Sequence, residues 1–183
     1  MLKKYVTILI CIISMAFIFT GCSYAAYKDY YSDVDDYEDI WDLTGFRHRE
    51  VGISPFFPQS INDLNVREFF CRYDQQIPLG EGVQLFLEIQ YTDELIFNEE
   101  LERIKSMSFN CDEFFEESQL SAYATSLGAN GSTEYALIDK EQLVIYYIYL
   151  QYLPKDEIEF DLKYVPIGYT DYEEIKPKSG LFK

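Results

Sequence analysis

Histidine is almost absent from this 183-residue chain: His48 is its single imidazole. One histidine cannot build the His-rich sites of most catalytic zinc proteins, and the four cysteines include no Cys-x-x-Cys pair. The chain has no Gly-x-Ser-x-Gly elbow and no glycine-rich loop of the kind that cradles phosphate. The sequence therefore points to no cofactor, no metal and no catalytic residue. Positive charge is scarce too, with 15 Lys and Arg against 32 Asp and Glu and a formal net charge of −17. Such a chain repels phosphate backbones, so nucleic acid is excluded as a partner. Charges are also missing from one long stretch: none occurs between Tyr5 and Tyr27.

That stretch begins after Lys3 and Lys4. From Tyr5 to Phe19 the 15 residues are all apolar or small. A membrane span needs roughly 20 apolar residues, so this length suits the apolar region of a secretory signal. The run ends in Phe19-Thr20-Gly21-Cys22. Small residues directly before a cysteine, at the close of such a run, resemble the lipobox of bacterial lipoproteins. The resemblance covers the first 22 residues. It implies transfer of a diacylglyceryl group to the Cys22 thiol and cleavage before it, leaving the protein anchored by lipid on the extracytoplasmic side, at the cell surface or in a periplasm. Each buried CH₂ contributes about 0.8 kcal/mol, and two acyl chains hold a protein stably. The alternative is an uncleaved membrane helix with Lys3 and Lys4 inside. Both readings export the rest of the chain.

Removal of residues 1–21 leaves 13 Lys and Arg against 32 Asp and Glu, a formal charge of −19. The remaining length suits one domain with a real core, and an aromatic content of 17% is too high for a disordered chain. Four parts are expected: the signal segment 1–21, a lipid-anchored tether 22–31, an acidic domain 32–166, and a loose segment 167–183.

Within the domain, a capping-box pattern at Ser32–Asp35 opens a short helix over 33–43, with Tyr37 and Trp41 laid on the core. Phe46–Ile53 is irregular or a short strand, followed by the aromatic loop 54–58. A helical turn at 61–65 comes next; in 66–74 Val66, Phe69, Phe70 and Tyr73 fit a helix and the β-branched and aromatic content fits a strand, and the turn residues of 78–82 favour a strand in a hairpin with another at 83–91. Val83, Leu85, Leu87 and Ile89 share one face of the last of these. A helix over 93–106, capped by Thr92, carries the stripe Phe97, Leu101 and Ile104. A further helical turn at 112–119 precedes a strand at 122–126 and a hairpin of 133–138 with 143–151. The last of these strands is apolar on both faces, so it belongs at the centre of a sheet. Phe160–Val165 adds a final strand. The fold class is α+β: an antiparallel sheet of about five strands with one main helix packed across it.

Several constellations invite a functional reading. Outside the cytoplasm Cys71 and Cys111 can pair as a disulfide, or each can stay a buried thiol. Trp41, Tyr146, Tyr147, Tyr149 and Tyr152 can line an aromatic platform for a peptide or glycan, or simply fill a sheet. The acidic run from Asp33 to Asp39 fails as a calcium loop, because Tyr37 and Glu38 stand where an oxygen ligand and glycine are required. His48 lies in Arg47-His48-Arg49, with no nucleophile assigned to it. Glu88, Glu94, Glu99 and Glu100 supply acids for glycoside hydrolysis, but no pair is singled out. Two functions follow from this. The first is a lipid-anchored, non-enzymatic binding protein whose partner is an envelope protein, peptide or glycan. The second is an envelope-polymer hydrolase working through paired carboxylates.

Overall fold

Val83, Leu85, Leu87 and Ile89 alternate with Gln84, Phe86 and Glu88, and an extended backbone sends these two sets to opposite faces. This segment forms strand β3, Gly80–Gln90, in a computed structural model that describes residues 26–42, 54–76, 80–128 and 131–170. The signal segment with Cys22, the stretch Phe46–Ile53 with His48, and residues 171–183 lie outside the described residues.

Six more strands join β3 in one antiparallel sheet: β1 Ala26–Tyr31, β2 Asn65–Gln76, β4 Phe109–Asn110, β5 Ser121–Leu127, β6 Ser132–Asp139 and β7 Val144–Gln151. Their order is β1-β2-β3-β7-β6-β5-β4, so β7 is central. Ile145, Tyr147 and Tyr149 enter one core with the Val83 set, while Val144, Tyr146, Ile148 and Leu150 enter the other. A strand buried on both faces explains the unbroken apolar run.

The front layer is helix α1, Glu94–Ser106, with Phe97, Leu101 and Ile104 turned inward. Asp93 caps α1 rather than Thr92: it is extended, and its carboxylate accepts from Leu95 N at 2.7 Å. Tyr37, Ile40 and Trp41 complete this layer with Phe56 and Phe57. Ile40 and Trp41 sit on a 3₁₀ turn, Asp39–Asp42, and Tyr37 closes another, Val34–Asp36, where one helix was expected. The segment 61–65 is a turn, closed by Leu64 N to Ile61 O at 3.0 Å, and it runs directly into β2.

The back layer is irregular chain. Phe114 and Phe115 cover it on one side, and Leu153, Phe160, Val165 and Tyr169 cover the rest. Short turns pair part of its backbone, as Glu157 N to Pro154 O and Tyr164 N to Asp161 O, each at 3.0 Å, and side chains pair more of it. Gln84, fully buried, donates to Glu157 O at 3.3 Å and accepts from Glu159 N at 3.0 Å. Arg72 reaches the carboxylates of Glu157 at 2.6 Å and Glu159 at 3.0 Å. Tyr135 donates to Tyr164 O at 2.9 Å.

Seven strands replace the expected five or so. The segment 26–31, expected as part of a tether, is edge strand β1, paired with Gln76–Cys71. Its Tyr30 ring stacks on Phe70 at 6.2 Å while staying 58% exposed. β4 spans two residues, too few to leave a periodic signal. Phe160–Val165 is not a strand. Phe160 and Val165 are an odd number of positions apart, yet both enter the same core, and the 3₁₀ turn Leu162–Tyr164 between them makes that possible. Residues 167–170, expected to be loose, dock through buried Tyr169, whose hydroxyl donates to Leu153 O at 2.8 Å.

Candidate functional site

The aromatic loop 54–58 is fixed from three sides. Phe56 and Phe57 are fully buried, with ring centroids 6.3 and 5.6 Å from that of Tyr147. Ser54 Oγ donates to the buried Glu134 carboxylate at 2.7 Å, and Thr125 Oγ1 donates to its other oxygen. Tyr37 OH donates to Pro58 O at 2.8 Å. The third anchor is Arg103 of α1, which donates to Pro55 O and, at 2.8 Å, to Phe56 O.

Arg103 is held in turn by Glu100 one helical turn earlier, with Nε 2.6 Å from the carboxylate. Tyr147 OH donates to the same carboxylate from below, and Tyr91 OH lies 3.4 Å from Tyr147 OH. Burial raises the pKa of the Tyr147 hydroxyl well above its ordinary value, helped by Tyr91 and Glu100. Burial likewise raises that of Tyr91. Both therefore stay neutral at pH 7 and can donate. Burial works to lower the Arg103 pKa, but the Glu100 and Tyr147 contacts outweigh it and hold the guanidinium charged.

Between α1 and this loop lies an open cleft of about 470 Å³. Phe57, Pro58, Leu64, Tyr91 and Ile96 supply its apolar lining; Gln59, Ser60, Glu99, Glu100 and Arg103 supply polar groups. Ile96 is 51% exposed and its neighbour Leu95 67%, so α1 keeps apolar side chains in solvent beside the cleft. Apolar walls with a few convergent polar groups are the ordinary make-up of a binding site. Sequence reasoning named Glu99 and Glu100 only as acids among many. It missed Arg103, although the spacing of Glu100 and Arg103 on one helix face marks a pair.

The other expected sites fare differently. The aromatic platform is not assembled. Trp41, Tyr147 and Tyr149 are buried in the front core, Tyr146 is buried in the back core against Tyr164, and Tyr152 lies beyond the strand end. Consecutive strand residues face opposite ways, so Tyr146 and Tyr147 could never share a surface. The disulfide is not formed: Cys71 and Cys111 are free thiols in the front and back cores, with the sheet between them. Burial, then the charges of Asp112 and Glu113, pushes the Cys111 thiol up to about 12. Among the described residues no three His, Cys, Asp or Glu side chains group to hold a metal. Asp33 is spent on a cap, accepting from Asp35 N at 3.1 Å.

Comparison with known proteins gives no matching family model, no matching curated protein and no matching solved structure. The chemistry must therefore be read from the cleft itself. Its two carboxylates, Glu99 and Glu100, are consecutive on α1 and do not face each other. The Glu100 carboxylate is occupied by Arg103 and Tyr147. Glu88 pairs with Arg67 at 3.2 Å, and Glu94 begins α1. None of these arrangements sets two acids across a space for a glycosidic bond.

Proposed function

We propose that this chain is an exported lipoprotein, anchored in a membrane through Cys22, whose acidic domain binds an envelope partner without chemistry of its own. The observation that carries the anchoring is the position of Cys22, after two small residues and directly at the end of an uncharged apolar run. The cleft beside α1 supports binding rather than turnover. Its central ion pair, Glu100 with Arg103, is engaged in holding the loop, while Ile96 and Glu99 at the rim are exposed.

The partner best matched to this rim is a basic, amphipathic peptide segment of an envelope protein. An apolar side chain would cover Ile96 and Leu64, and a Lys or Arg would meet Glu99. The formal charge of −19 after cleavage favours such a partner at long range and speeds its encounter. Metabolic labelling with radioactive palmitate tests the anchor. Wild type should incorporate label into the membrane-fraction protein and Cys22→Ala should not; equal labelling of both would refute lipidation at Cys22.

A further inference from the structure

An arginine side chain has five N–H donors. In Arg103 four of them meet oxygen. Nε and one Nη2 hydrogen go to the Glu100 carboxylate, the other Nη2 hydrogen to Phe56 O, and one Nη1 hydrogen to Pro55 O. The fifth goes to sulfur: Nη1 lies 3.7 Å from Met107 Sδ. A thioether is a weak acceptor, so this is the poorly matched contact of the guanidinium that ties α1 to the aromatic loop. Met107 closes α1, its N–H donating to Ile104 O at 3.2 Å, which holds its side chain one turn after Arg103.

That sulfur is open to oxidants. Met107 is 37% exposed. The other methionines, Met1 and Met15, fall in the signal segment, so a chain that begins at Cys22 has no second methionine. Cys71 and Cys111 are shielded in the two cores. Burial raises the pKa of both thiols, so neither offers a thiolate at pH 7.

With a peroxide, a lone pair of Sδ attacks one peroxide oxygen, the O–O bond breaks and an S=O bond forms. The proton on the transferred oxygen passes to the departing hydroxide, which leaves as water. Sulfur loses two electrons and the peroxide gains them. The sulfoxide oxygen is a strong acceptor. Rotation about Cγ–Sδ turns it toward Arg103, and the 3.7 Å between sulfur and nitrogen leaves room for it about 2.8 Å from Nη1. The bond so formed is charge-assisted and takes the hydrogen that sulfur held, leaving the bonds to Pro55 and Phe56 in place.

We infer that Met107 is a reversible oxidation site for peroxides, and that its sulfoxide oxygen takes the fifth hydrogen of Arg103 and fastens the loop that walls the cleft. The consequence for binding rests on the reading of the cleft as the partner site: oxidised protein presents that site with its loop more firmly held.

Full-length protein treated with hydrogen peroxide at pH 7 tests this. Peptide mapping should find one added oxygen on Met107 and none on Cys71 or Cys111. Tm should rise by about 2–4 °C, amide exchange at Phe57 should slow, and methionine sulfoxide reductase should reverse both. Met107→Leu and Arg103→Lys should show neither change. Met107→Gln places an amide oxygen at similar reach and should reproduce the shift without oxidant, which keeps the test decisive if Arg103→Lys folds poorly. An equal shift in Arg103→Lys, or a Met107 sulfoxide that leaves exchange at Phe57 unchanged or faster, would overturn the inference. So would oxygen on the cysteine peptides with Met107 unmodified. None of these results bears on lipidation at Cys22, and lipid-free protein that still shows the shift would sink the anchoring alone.

Discussion

Replacing Arg103 by Met keeps the aliphatic stem and removes the guanidinium that ties α1 to the aromatic loop. The lost contacts are the bonds to Pro55 O and Phe56 O and the pair with Glu100. A hydrogen bond to a charged group contributes about 1.5–3 kcal/mol net when buried. Arg103 is 31% exposed and Glu100 16%, so screening reduces each term. Glu100 also stays beneath the loop with only Tyr147 to neutralise its demand for donors. Together these give a loss of about 2–4 kcal/mol. For a domain of this size that lowers Tm by about 5–15 °C. Urea titration followed by tryptophan fluorescence reads it directly, because Trp41 packs on Phe57 at 5.3 Å. Lys105→Met, which breaks the exposed pair with Glu102, should cost under about 0.5 kcal/mol. If Arg103→Met were no more damaging than Lys105→Met, the loop would not depend on α1 as argued.

Gln84→Ala removes its two bonds to the 157–159 backbone and leaves Arg72 donating to Glu157 O at 3.2 Å. It should cost about 1–3 kcal/mol and expose the chain near Lys155 to trypsin before the sheet unfolds. The Cys111 thiol is raised from its ordinary value of 9.0 to about 12 by burial. Its contribution to stability is complete below pH 9 and is lost as pH rises toward 12, at about 1.4 kcal/mol per pH unit. Cys111→Ala should flatten that limb in urea titrations at pH 8–11, and neither buried thiol should react with Ellman's reagent at pH 8 until the protein unfolds. Ile96→Asp should leave stability within about 0.5 kcal/mol but reduce partner recovery in cross-linking from intact cells.

Much of the fold can be read in the chain, because two periodicities are strong in it. The two-residue alternation of Val83–Ile89 and the helical stripe Phe97, Leu101 and Ile104 both lie where that reading puts them. The apolar run 144–150 declares a central strand for a different reason, because neither of its faces is polar. What stays hidden has no period. β1 is an edge strand and β4 has two residues, so neither alternates clearly. The back layer packs through spacings that no regular element shares, as Phe160 and Val165 illustrate. The cleft was illegible because its walls come from segments far apart in sequence, and Arg103 joins them through backbone carbonyls rather than a motif. The tyrosines misled because aromatic composition is the same for a ligand platform and for a sheet covered on both faces.

Intact mass of protein extracted from the membrane fraction, wild type beside Cys22→Ala, tests the central claim. The account predicts a wild-type chain that begins at Cys22, lacks residues 1–21 and carries a diacylglyceryl mass, with neither change in the variant. A wild-type chain with its N-terminus intact and no lipid would contradict it.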